Sequence, residues 1–142
     1  LLGGSQDLSH GVFLALEKQE GLHHILSIDS MLDFSRDSVG LHSRNYLNRV
    51  LKNTNNRQFS LTNLGHQAYF VTEDQLQQLD KSYLESIRLG DARKEIKQAE
   101  PLIRDSEFIS IDMGAVRHAD APGASLPSPN GFFGDELCQI SR

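Results

Sequence analysis

Three aspartates stand at positions of this 142-residue sequence where an apolar run gives way to a loop. Asp29 ends the run at residues 24–29, Asp33 lies a helical turn further on, and Asp112 ends the run at residues 108–112. Because the carboxyl ends of neighbouring parallel strands open onto one crevice, these side chains could converge there. Carboxylates that converge repel one another, so either their pKa values rise or a cation lies among them. The alternative is that each aspartate only caps the helix that follows it.

The elements that must position these acids alternate between strand and helix along the chain. Short apolar runs bounded by turn residues predict strands, and apolar residues at helical spacing predict helices. The strands are expected at residues 1–2, 24–29, 59–61, 68–71 and 108–112. The helices are expected at residues 8–20, 42–51, 72–90, 92–99 and 132–141. This alternation predicts an α/β fold in which helices cover both faces of a parallel sheet.

The helix predicted at residues 72–90 has the clearest start in the sequence. Thr72 and Gln75 have the spacing of a capping box, and Gly90 is the expected end of the helix. The apolar residues between them share one helical face: Leu76, Leu79, Tyr83 and Ile87.

The composition is that of an ordinary soluble protein with a single domain. The net charge is −5 and no basic stripe occurs, which argues against a nucleic-acid surface. No apolar run is long enough for a membrane span, and no signal peptide is visible. The single cysteine, Cys138, cannot form an internal disulfide, which fits a cytoplasmic protein. The chain opens without methionine on what reads as a strand end, so we expect a fragment of a longer protein.

Residues 3–9 (GGSQDLS), 29–33 (DSMLD) and 110–114 (SIDMG) form three motifs, and residues 121–123 (APG) follow the last of them. In order and spacing they resemble motifs of the ureohydrolases, the family of arginase, agmatinase and formimidoylglutamase. The family versions are Gly-Gly-Asp-His-Ser, Asp-Ala-His-x-Asp and Ser-x-Asp-x-Asp. The resemblance, nearest to a degenerate formimidoylglutamase-like branch, implies the arginase-like fold, a three-layer sandwich with a mainly parallel sheet. Residues 1–142 would then be the central part of a single domain whose fold is incomplete in this chain.

The resemblance also implies a metal site. In the family, six side chains hold two Mn²⁺ ions, which share a bridging hydroxide that attacks a guanidinium or formimino carbon. Carried over by position, Asp29, Asp33 and Asp112 are metal ligands that this chain keeps. The first histidine of the family is Gln6 here, whose amide oxygen could bind the first metal.

Two further ligand positions of the family are changed in this chain. The central histidine is Met31, whose thioether is a soft, neutral ligand, and the last aspartate is Gly114, which has no side chain. Both changes fall on the second metal. We therefore expect that the chain binds no metal or one residual divalent metal and contains no catalytic residue. Its hydrolytic activity is expected to be impaired. Arg117, which replaces an acid of the family, could neutralise the aspartates instead of a metal.

Two other functions stay open at this point. The first is an active hydrolase that cleaves C–N bonds of a small amidine or guanidine substrate of the formiminoglutamate type with one residual metal. The second is a non-catalytic scaffold or sensor subunit. The oligomers of the family imply that the chain could form a homo-oligomer.

Overall fold

The computed structural model describes residues 3–34, 39–48, 59–79 and 84–142. In these residues the strands are β1 (His23–Ile28), β2 (Phe59–His66), β3 (Leu84–Arg88) and β4 (Phe108–Ile111). The α-helices are α1 (Ser9–Leu16), α2 (Glu73–Leu79), α3 (Leu89–Lys94), α4 (Ala99–Arg104) and α5 (Gly134–Ile140). Short 3₁₀ turns lie at Gln6–Leu8, Ile96–Gln98 and Met113–Ala115. Within the described residues, no helix combines the length and apolarity that crossing a membrane requires.

The sheet is parallel throughout, in the order β3-β2-β1-β4, and both of its faces are covered. Neighbouring residues of β1 belong to different cores: Ile25 packs in one apolar cluster with Phe13 of α1, and Leu26 in another with Ile140 of α5. A parallel strand buried on both faces is apolar along its length, which is why residues 24–28 gave a clear strand signal. The prediction of an α/β fold with a helix-covered parallel sheet is confirmed.

The register of β1 sets the geometry of the carboxyl edge. Ile28 is paired with Leu64 of β2 on one side and with Ile111 of β4 on the other. The pairing continues one step further, since the Asp29 N–H donates to the Leu64 carbonyl at 3.2 Å and the Asp112 N–H donates to the Ile28 carbonyl at 2.9 Å. Asp29 and Asp112 therefore leave adjacent strands side by side.

Two predicted strands, at residues 59–61 and 68–71, were wrong in their bounds. A single strand, β2, runs from Phe59 through Gly65 to His66, and residues 67–70 form a turn closed by the Phe70 N–H and the Gln67 carbonyl. Gly65 has a φ of 107°, a backbone conformation that side chains disfavour, and the register with β3 shifts there. Glycine thus accommodates an irregularity in the strand without ending it.

The helix predicted at residues 72–90 is correct only in its first part. The capping box is present: the Gln75 N–H donates to Thr72 Oγ1 at 3.3 Å, and the Thr72 N–H donates to Gln75 Oε1 at 3.0 Å. The end of the predicted helix is instead strand β3, which pairs with β2. The hydrogen bonds that an adjacent strand offers outweigh a weak helical periodicity, because intrinsic propensity is a small term.

Two other predicted helices also differ from the structure. The helix expected at residues 92–99 is replaced by α3, the turn Ile96–Gln98 and α4, and Pro101 lies in the first turn of α4, where a missing N–H is tolerated. The helix expected at residues 42–51 is described only to residue 48, and in that part Tyr46 and Leu47 are buried. The predicted strand at residues 1–2 lies outside the described residues.

Gly131 is predicted to be the glycine that tolerates a side chain least. The chain at residues 115–117 pairs with Phe132, whose N–H donates to the Ala115 carbonyl at 2.8 Å. A Cβ on Gly131 would lie 2.4 Å from the Arg117 nitrogen, so backbone atoms would have to move. Gly131→Ala should lower the free energy of unfolding by about 3 kcal/mol, measured by urea denaturation.

The matched control is Gly123→Ala, because a Cβ on Gly123 would meet no atom within 4 Å. We expect that change to stay within about 0.5 kcal/mol of the parent. Equal effects of the two substitutions would show that the close approach at Gly131 is not the cause.

Candidate functional site

The loop that follows β1 is held in place by hydrogen bonds to its own side chains and to β2. Asp29 Oδ1 accepts from the Met31 N–H at 2.9 Å, and Asn63 Nδ2 of β2 donates to the Met31 carbonyl at 2.8 Å. The Gln67 N–H donates to the Ser30 carbonyl at 3.0 Å. Asn63 itself was not predicted as a site residue, because nothing in a strand sequence shows which side chain will support a loop.

Asp33 closes this loop in an unusual backbone conformation. Its φ is 41°, in the left-handed region that few residues other than glycine, asparagine and aspartate adopt. It is buried, as Asp29 is. Strained backbone that positions a buried polar group is concentrated at functional sites, so this observation supports Asp33 as a member of the candidate site.

The carboxyl groups of Asp29 and Asp33 lie within hydrogen-bonding reach of each other, and a hydrogen bond between them requires a proton on one of the two. Burial is the main cause that raises the pKa of Asp29 above its ordinary value, and the negative charge of Asp112 raises it further. Burial also raises the pKa of Asp33, followed by the negative charge of Asp29, while Arg44 lowers it slightly. The structure thus brings together the three aspartates that the sequence analysis singled out.

Asp112 is less buried than the other two and is engaged with its own backbone. Its Oδ1 accepts from the Gly114 N–H at 2.6 Å and caps the turn Met113–Ala115. The alternative interpretation was that each aspartate only caps the helix that follows it, and this role applies to one oxygen of Asp112. Its charge nevertheless acts on Asp29 and Asp33, so the cap does not remove it from the cluster.

Gln6 lies at the border of the aspartate cluster, on the side of β4. Its Nε2 donates to Ser110 Oγ at 2.7 Å, and its side chain is also hydrogen-bonded to the Tyr46 hydroxyl. Tyr46 is fully buried, and burial and the nearby charge of Asp33 raise the pKa of its hydroxyl. The sequence does not show that Tyr46 lies beside Gln6, because a contact between residues forty positions apart forms only in the folded chain.

Met31 and Gly114 both lie beside the aspartates. A Cβ on Gly114 would be 2.9 Å from Asp112 Oδ1 and 3.8 Å from Ser30 Oγ. The Ser30 hydroxyl is buried and has no hydrogen-bond partner among the described residues. Position 114 is therefore a place from which a longer side chain would reach directly into the cluster.

The described residues, with gaps at 35–38, 49–58 and 80–83, hold no group of at least three His, Cys, Asp or Glu side chains arranged to bind a metal ion. One oxygen of Asp29 and one of Asp112 accept from the main chain, and Asp33 interacts with Asp29. These interactions leave the second oxygen of Asp112 without a main-chain donor among the hydrogen bonds of the described residues.

Arg117 does not neutralise the aspartate cluster. Its guanidinium forms a bidentate pair with Asp120, with N–O distances of 2.7 and 3.0 Å, and lies 4.2 Å from the centre of the Phe133 ring. Asp120 in turn accepts from the Gly134 N–H at the start of α5. Arg117 thus connects the long loop to this helix, and the cation that acts on Asp33 is Arg44.

A helix-covered parallel sheet with a buried acidic cluster at its carboxyl edge is an arrangement typical of α/β enzymes and of proteins descended from them. The model of the Arginase family matches residues 1–142, and the chain belongs to this family. The ureohydrolase resemblance of the three motifs is thereby confirmed. A comparison with curated protein sequences finds no significant match.

Solved structures agree on the fold. Formimidoylglutamase from Bacillus subtilis subsp. subtilis str. 168 superposes with a TM-score of 0.80 at 21% identity, over 97% of this chain and 46% of that one. Trypanosoma cruzi formiminoglutamase with Mn²⁺₂ superposes with a TM-score of 0.83 at 21% identity, over 97% of this chain and 49% of that one. Arginase from Medicago truncatula superposes with a TM-score of 0.78 at 22% identity, over 97% of this chain and 45% of that one. The chain therefore spans about half the length of these structures.

Stability is predicted to fall as the pH rises. The folded state binds the protons of Asp29 and Asp33 more tightly than the unfolded chain, in which such groups titrate near about 3.9. The free energy of unfolding therefore decreases from about pH 4 upward, through the raised pKa of about 7 at Asp29. In the presence of a chelator, the melting temperature should be lower at about pH 8 than at about pH 5.

Asp33→Asn should flatten this pH dependence and raise stability at about pH 8 by about 1–3 kcal/mol, because it removes a buried charge and asparagine tolerates the left-handed backbone. Asp105→Asn, at an exposed position, is the matched control and should leave the slope unchanged. A melting temperature that does not fall between the two pH values would contradict the raised pKa values.

Proposed function

We propose that this chain is part of an arginase-family hydrolase whose binuclear manganese centre is reduced to at most one divalent cation and whose hydrolytic activity is impaired. The observation that most directly supports the proposal is that residue 114 is a glycine. A Cβ at this position would lie 2.9 Å from Asp112 Oδ1, the position resembles one of the family's aspartate ligands, and glycine provides no side-chain donor.

The residues present do not fit a pair of Mn²⁺ ions. Besides Gly114, the half-buried Met31 offers only a thioether, which is a poor ligand for a hard cation. The Gln6 amide nitrogen is bound to Ser110, and its side chain also bonds to Tyr46. Met31 and Gly114, the two changed positions that fall on the second metal, thus lack oxygen or imidazole side-chain donors.

The same residues fit a single hard cation better. Asp29, Asp33 and Asp112 are carboxylates, and the raised pKa values of the first two show that burial and mutual repulsion destabilise their charged forms. A divalent cation would relieve this repulsion and replace the shared proton. A single cation polarises a substrate less strongly than two cations that share a nucleophile, which supports impaired hydrolysis.

The retained acids also keep a second candidate function open. Three carboxylates at the same edge of the sheet, two of them buried, favour an active hydrolase of a formimino or guanidino C–N bond with one metal. A scaffold or sensor subunit would need none of them. Cytoplasmic location and self-association remain proposals that rest on the family resemblance and on the composition.

We predict about one Mn²⁺ or fewer per chain, measured by elemental analysis after equilibration with Mn²⁺ and removal of free metal. No urea or ammonia should be released from arginine, agmatine or formiminoglutamate. Asp29→Asn should abolish any bound metal, because it removes a carboxylate from the cluster. Two bound ions together with turnover would refute the proposal.

A gain-of-function variant sharpens this test. Combining Gln6→His, Met31→His and Gly114→Asp adds the donors that the family resemblance identifies as missing, and it should raise the stoichiometry towards two ions. The matched control replaces the last change with Gly114→Ala, which adds the same Cβ beside Asp112 without a donor. If both combinations bind the same amount of metal, position 114 does not limit the site.

A further inference from the structure

The carboxyl edge of the sheet contains a second feature, a cavity of about 250 Å³ at the ends of β2 and β3. Its walls are formed by the last residues of these strands, the turn after β2, the start of α3 and Asn130. The side chains that matter for its chemistry are His66, Gln67, Tyr69, Arg88, Arg93 and Lys94. We call it the Arg88 cavity. None of its lining residues belongs to the aspartate cluster.

The charges of the Arg88 cavity are mainly positive, although the chain as a whole carries −5. Arg88, Arg93 and Lys94 line it, and Asp91 is the single acid among the lining residues. Lys94 is paired with Asp91 at 2.9 Å on the exposed surface. The Asp91 charge also interacts with that of Arg88, so a single lining acid faces three basic side chains.

The two arginines differ in how they are held. The Arg93 Nε donates to Glu136 at 2.9 Å, and its guanidinium lies 4.1 Å from the centre of the Phe133 ring. It is thus fixed by α5 and partly neutralised. The Arg88 guanidinium forms no ion pair and no side-chain hydrogen bond with any residue in the described part of the chain. Burial lowers the pKa of His66, and the positive charge of Arg88 lowers it further.

The polar side chains that line the rest of the Arg88 cavity are held in place by hydrogen bonds to neighbouring residues. Gln67 is 2% exposed, its Nε2 donates to the Asn130 carbonyl at 3.1 Å, and its Oε1 accepts from the Tyr69 hydroxyl. The same hydroxyl lies 3.0 Å from Ser128 Oγ. The His66 ring is held by a hydrogen bond between its Nδ1 and Ser86 Oγ, which are 2.6 Å apart. These bonds fix the lining side chains before any ligand arrives, which lowers the entropy lost on binding.

We propose that the Arg88 cavity binds a small anion that bears a carboxylate or phosphate group, with the free Arg88 guanidinium as its charged contact. A guanidinium presents two parallel N–H donors that match either group. The volume is below that of cavities for drug-sized ligands, which indicates a small metabolite or a single anionic group. The site is independent of any metal at the aspartates.

The test is isothermal titration calorimetry of the metal-free protein at constant ionic strength, with inorganic phosphate, succinate and neutral glycerol as probes. Saturable binding of phosphate or of succinate, without binding of glycerol, is expected, and the stronger of the two identifies the anionic group. Arg88→Gln should weaken that binding about 10-fold or more, because a charge-assisted hydrogen bond is lost.

Arg104→Gln is the matched control, since Arg104 is a similarly exposed arginine paired with Glu100 at 2.9 Å and lies outside the cavity. It should leave the affinity unchanged. If Arg88→Gln fails to fold, Arg88→Lys, which keeps the charge but loses the paired donors, should still weaken binding measurably. The proposal is overturned if neither anion binds, or if the Arg88 and Arg104 substitutions weaken binding equally.

Discussion

The register of β1 between its two neighbours is the constraint on which the rest of the structure depends. Because Ile28 pairs with both Leu64 and Ile111, the residues that follow two of these strands, Asp29 and Asp112, emerge next to each other. A slip of one residue would turn alternate side chains to the opposite face, exposing apolar residues of a strand that is buried on both sides. The two apolar cores therefore enforce the proximity of the acids.

Burying like charges together is unfavourable, and the local structure offsets the cost only in part. Main-chain N–H groups of Met31 and Gly114 donate to two of the carboxylates, and Asp29 and Asp33 are joined by a hydrogen bond. Apolar residues of similar size would pack at the same place with less penalty. The presence of the acids at this place is therefore not explained by their contribution to stability.

The carboxyl edge is divided by charge. Acids follow β1 and β4, whereas His66 and Arg88 end β2 and β3. The two regions are joined through the Gln67 N–H, which donates to the Ser30 carbonyl beside Asp29. The net charge of −5 is a sum over both regions. The composition therefore argued against an extended basic surface but could not reveal a small basic cavity.

The sequence alone was sufficient for the features that depend on local chemistry. Strands β1 and β4 are short apolar runs bounded by polar residues, so they and the aspartates that follow them could be located, and Thr72 and Gln75 marked the start of α2. Strand β3 was missed, because its residues also suit a helix and only the hydrogen bonds to β2 decide between the two. The sequence did not show the interaction between Asp29 and Asp33, the contact of Gln6 with Tyr46 or the position of the Arg88 guanidinium beside His66. Each depends on burial and on distances between residues far apart in the chain, and these exist only once the strands have paired.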